Sequence, residues 1–130
     1  MRTELFILLL TVGLGFIQLF LASAAATKVR GQKYNFSSRD EELPPLKGKP
    51  AHLDRAFKNF KETFPFFLAS IFLVISADKT GLISAISAVV YLVARIIYVF
   101  LYVYDVIYVR SAIWLLSVAG IFGILLQTFI

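Results

Sequence analysis

LISAISAVVYLVARIIYVFLYVY, residues 82–104, is an apolar run broken by a single charge, Arg95. A spanning helix needs about 20 apolar residues to cross a hydrocarbon core of about 30 Å, so this stretch predicts a membrane-spanning helix. Three further runs flank it. Residues 5–26 have Gln18 as their most polar member. Residues 55–77 begin polar, with Lys58, Asn59, Lys61 and Glu62, and turn apolar after Phe64. They also contain Pro65, a helix kink that buried neighbours tolerate. Residues 111–130 carry no charge at all. The expected architecture is an all-α integral membrane four-helix bundle, a single domain over residues 1–130, with helices at about 5–26, 55–77, 82–104 and 111–130.

Composition agrees. The 130 residues are 59% hydrophobic and only 16% charged, against about 25% charged in soluble domains. There is no cysteine, which excludes disulfides, cysteine-bound metals and a protein thiol nucleophile. The net charge is +5, and its basic residues gather between the first two runs. That placement indicates topology and contact with anionic lipid rather than nucleic acid.

Segment 27–54 is the one substantial polar region. Pro44, Pro45, Gly48 and Pro50 mark it as a loop rather than a helix. Short turns are expected at Asp78–Gly81 and Asp105–Arg110. Residues 28–61 hold nine Lys and Arg, while the other two turns offer Lys79 and Arg110. The positive-inside rule then puts the long loop in the cytoplasm and both termini on the other side. The first run has a rival reading, because Arg2, an apolar core and Ala24–Ala26 resemble a secretory signal. It is longer than a signal core of about 7–15 residues, and Lys28, Arg30 and Lys33 follow it directly, so a retained helix is expected. His52, a lone loop histidine, is expected to be solvated.

Charges inside a span mark function, because they are expensive there. Arg55, Asn59 and Glu62 fall at i, i+4, i+7 and share one helix face. Tyr91, Arg95, Tyr98 and Tyr102 repeat that spacing one helix later. Counted from the cytoplasmic ends, Glu62 lies about 12 Å deep and Arg95 about 13 Å deep at a rise of 1.5 Å per residue. An ion pair between them is therefore expected, with the two stripes facing each other across a cleft. Arg55, Tyr102 and Arg110 would stand at its cytoplasmic mouth. The plainer alternative is a pair that only fixes helix packing.

These residues carry a resemblance. RAFKNFKETFP, residues 55–65, resembles the second-helix signature of the MAPEG family, the membrane-associated proteins in eicosanoid and glutathione metabolism. Arg95, Tyr98 and Tyr102, followed by Arg110 and Ser111, resemble its third helix and the start of its fourth. Ser38–Glu41 and Gly48–Arg55 resemble the bacterial branch, which implies a bacterial inner membrane. The resemblance implies a homotrimer of four-helix protomers binding glutathione between subunits. Carried over by motif, Arg55, Asn59, Glu62, Arg95, Tyr98 and Tyr102 would hold glutathione, and Arg110 would activate its thiol. The implied activity is that of a glutathione transferase or peroxidase acting on lipophilic electrophiles or lipid hydroperoxides. The chain departs from several glutathione-using relatives at Phe57 and Phe60, where they carry histidine and aspartate. Some relatives bind lipid without catalysis, so a lipid-binding or scaffolding membrane protein is the alternative. Transport ranks last, because small multidrug exporters depend on an acid in helix one, where this chain offers only Gln18.

Overall fold

The computed structural model describes residues 2–130. Four long helices, each long and apolar enough to cross a membrane, make up the bundle: α1 (Thr3–Arg30), α3 (Gly48–Ser76), α4 (Leu82–Val103) and α5 (Ile107–Phe129). A fifth, short helix, α2 (Gln32–Phe36), lies in the long loop.

Three boundaries depart from expectation. Segment 27–54 is largely helical at both ends, since α1 runs on to Arg30 and α3 begins at Gly48 rather than near residue 55. Pro50 sits in the first turn of α3, where its missing N–H has no helical partner to lose. Proline there is compatible with a helix start, so the loop reading is corrected at both ends of the segment, while residues 37–47, with Pro44 and Pro45, are loop as expected. Helix α5 likewise begins at Ile107, four residues early, because the chain reverses within Tyr104–Val106 around a left-handed Asp105 (φ 58°). The predicted span at Pro65 is one continuous helix.

The core is built from α1, α3, α4 and α5 together, around Ile7, Phe67, Ile71, Val74, Tyr91 and Ile124. Phe67 stacks on Tyr91 with ring centroids 4.1 Å apart. Beside that stack, the Tyr91 hydroxyl and Thr63 Oγ1 lie 2.9 Å apart in a buried hydrogen bond from α4 to α3. A buried neutral hydrogen bond contributes about 1 kcal/mol net. Tyr91→Phe is therefore expected to lower the thermal midpoint in detergent by about 4 °C, read by light-scattering-corrected fluorescence.

Helices α4 and α5 pack closest. Gly120 lets the backbones touch: a Cβ there would lie 2.8 Å from the Ser87 carbonyl oxygen and 3.1 Å from the Tyr91 nitrogen. At the end away from the loop, Glu4 of α1 is 3% exposed and accepts a hydrogen bond from Ser84 Oγ at the start of α4. The first helix thus does hold an acid, but at its tip, tied to Ser84, and not in the middle of the span.

Candidate functional site

At the loop end of α4, cations and rings alternate along one face. The Arg95 guanidinium lies 4.4 Å from the Tyr98 ring centre, and Tyr98 meets Tyr102 edge-on at 5.7 Å. Arg110, from the first turn of α5, lies 4.1 Å over Tyr102. The i, i+3, i+7 spacing from Arg95 produces this ladder, and each cation–ring contact contributes about 0.5–2 kcal/mol depending on desolvation. His52 closes the far side. It is half-buried, with Nδ1 3.4 Å from the Val103 carbonyl oxygen and its ring 6.1 Å from Tyr102. The expectation of a solvated histidine is corrected, because the early start of α3 carries His52 against the end of α4.

Facing the ladder, α3 presents Arg55, Lys58, Asn59 and Glu62. Together with Tyr98 and Tyr102 they line a cleft of about 250 Å³. Five of the seven residues singled out from the sequence therefore meet on one surface: Arg55, Asn59, Glu62, Tyr98 and Tyr102. Lys58, not among those seven, also lines it and pairs with Asp54 at 3.1 Å. Its position one residue before Asn59 was the available signal.

The other two residues stand behind the wall. Arg110 is one ring removed, stacked on Tyr102 and 3.9 Å from Asp105. Arg95 is 1% exposed and covered by Tyr98. The predicted Glu62–Arg95 ion pair is absent among the described residues, whose ion pairs are Arg2–Asp78, Lys58–Asp54 and Arg110–Asp105. Arg95 lies level with Asn59, three residues or about 4.5 Å along the axis from Glu62, so the predicted pair misses in depth as well as in rotation. Glu62 points outward into the cleft, while Arg95 points into the bundle.

Glu62 has a second neighbourhood. It also begins an apolar groove of about 580 Å³ between α3 and α5, lined by Phe66, Leu73, Trp114, Ile121 and Phe122 among others. A polar cleft and an apolar groove thus share one carboxylate. A third cavity, of about 680 Å³, lies between α1, α2 and the start of α3. Arg30, Arg39, Arg55, Lys58 and Lys61 line it, with Asp54 as its one acid. No group of three or more His, Cys, Asp or Glu suited to a metal occurs among the described residues.

Comparison with protein-family models matches residues 7–130 to the MAPEG family. The chain belongs to the MAPEG family and is a membrane protein of four apolar helices. No curated protein and no solved structure matches it.

Proposed function

We propose that the chain binds glutathione in the cleft between α3 and α4 and uses it against lipophilic electrophiles or lipid hydroperoxides. The observation that carries this reading is the meeting of Arg55, Lys58, Asn59, Glu62, Tyr98 and Tyr102 on one surface. Glutathione has two carboxylates, an ammonium, amide groups and a thiol. The cleft offers two cations, a carboxylate, an amide and two phenols, a complementary set. Bound there, glutathione supplies the sulfur nucleophile that this cysteine-free chain lacks. Arg55 and Lys58 pair with carboxylates, Glu62 takes the ammonium, and Asn59 donates from Nδ2 to a backbone carbonyl of the tripeptide. Arg110 stands one ring behind the cleft, stacked on Tyr102. A cation beside a thiol favours the thiolate, which is the reactive form.

At about 250 Å³ the cleft is smaller than typical ligand pockets, which begin near 300 Å³. A second wall from a neighbouring protomer would complete it, as in the homotrimer proposed from the family resemblance. The apolar groove reaching Glu62 suits the lipophilic partner. On this reading the loop and cleft face the cytoplasm of a bacterial inner membrane, as the distribution of basic residues favours.

Calorimetric titration of reduced glutathione into the detergent-solubilised protein tests this. Saturable binding, lost in Glu62→Ala, is the expected result. No saturation at millimolar glutathione in a folded oligomer would remove the enzyme reading. The second reading, a lipid-binding or scaffolding protein, is favoured by the cation-lined cavity beside α1, which suits anionic headgroups.

A further inference from the structure

Seven buried side-chain polar atoms have no hydrogen-bond partner in the protein among the described residues, and six of them belong to three residues. They are Nε2 and Oε1 of Gln18, Oδ1 of Asn59, and Nε, Nη1 and Nη2 of Arg95. The three residues sit on α1, α3 and α4, far apart in sequence. The helix registers nevertheless bring them to one level. Thr63 of α3 is bonded to Tyr91 of α4, and the two helices run antiparallel across a short turn. Four residues toward the loop on each lie Asn59 and Arg95. Gly15 of α1 stands against Phe60 of α3. Three residues further toward the loop lies Gln18, level with Phe57. Positions 57 and 59 differ by about 3 Å along the axis, less than one helical turn.

The set is chemically complementary. Arg95 has only donors, Asn59 Oδ1 only accepts, and the Gln18 amide does both. No direct hydrogen bond joins them. Leaving a guanidinium unmatched inside a span is costly, so an acceptor must lie between. Arg95 is 1% exposed and Gln18 3%. A tripeptide or a second copy of the chain cannot reach atoms already covered by their own protomer. The occupant must be small, and must both donate and accept.

We propose that Gln18, Asn59 and Arg95 enclose an internal site for ordered water, and that through it Gln18 acts as a positioning residue for the Arg95 guanidinium over Tyr98. Buried water typically makes about three hydrogen bonds to polar groups that would otherwise be unmatched. The site ties α1 to the cleft wall without α1 lining the cleft. It is independent of which ligand the cleft takes.

A thermal double-mutant cycle on the full chain in detergent tests it, using Gln18→Leu, Arg95→Leu and the double variant. Gln18→Leu should lower the midpoint by about 4 °C in the wild-type background. In the Arg95→Leu background the same change should cost nothing or raise the midpoint, because leucine then joins an apolar site. Equal shifts in both backgrounds would overturn the proposal. Should Arg95→Leu fail to fold, Gln18→Glu decides. A carboxylate sharing a site with the guanidinium should restore the wild-type midpoint, whereas a loss greater than with leucine would show that the two do not communicate. A structure at about 2 Å should show solvent density bonded to Arg95, and a guanidinium bonded directly to Glu62 would sink the idea.

Discussion

Replacing Gly120 by leucine is expected to prevent stable folding, or to lower the thermal midpoint by at least about 10 °C. Even a methyl group there would fall 2.8 Å from the Ser87 carbonyl oxygen and 3.1 Å from the Tyr91 nitrogen. Both are backbone atoms on α4, so no side-chain rotation relieves the clash. Between helices in lipid, close backbone approach and van der Waals contact replace the hydrophobic drive, so separating α4 from α5 removes a main source of cohesion. Overpacking alone costs about 1–3 kcal/mol, and Tyr91 would be displaced from Phe67 and Thr63 at the same time. Gly13→Leu is the control, because a Cβ at Gly13 meets nothing within 4 Å. Thermal unfolding and size-exclusion profiles in detergent check both variants. Equal tolerance of leucine at positions 13 and 120 would mean that α4 and α5 are not held at this distance.

The second large effect concerns Arg110 and rests on the proposed thiol chemistry. Arg110→Ala is expected to slow glutathione-dependent turnover at pH 7 by about a hundredfold while glutathione affinity changes only a few-fold. The sign follows from the charge. An unperturbed thiol titrates near 8.5, and a neighbouring cation lowers that value. Removing the cation raises it again, so the rise of rate with pH should move to higher pH in the variant. Raising the pH towards 9 should recover much of the loss, and Arg110→Lys should keep most of the rate at neutral pH. A variant equally impaired at every pH would instead mark Arg110 as structural, holding Tyr102 and Asp105.

How far the sequence disclosed this structure depended on what each residue had to say along its own helix. Spans were legible because a hydrocarbon slab demands length and apolarity, and residues 82–104 state both. Helix ends were less so. Pro50 reads as a breaker from composition, yet in a first turn it breaks nothing. The cleft was legible as two stripes, since Arg55, Asn59 and Glu62 share a face whatever the tertiary fold. What failed was the Glu62–Arg95 pair. Depth counted from expected helix ends missed the true register, since α3 begins at Gly48, and the direction a side chain takes is set by packing. Covering Arg95 with Tyr98 while leaving Glu62 open is a decision of the whole bundle. Gln18 showed the same limit. As one amide in an apolar run it gave no sign of the companions that the fold brings to its level.

The position of Glu62, shared by a polar cleft and an apolar groove, bears on how rates should be measured. On the proposed reading, glutathione arrives from water while its partner arrives sideways, already dissolved among acyl chains. The two need not compete for one doorway. The concentration that governs encounter with a lipophile is then its mole fraction in the bilayer, not its amount per volume of buffer. Diluting that substrate with inert lipid at fixed bulk concentration should lower the rate, and diluting the buffer at fixed mole fraction should leave its saturation unchanged.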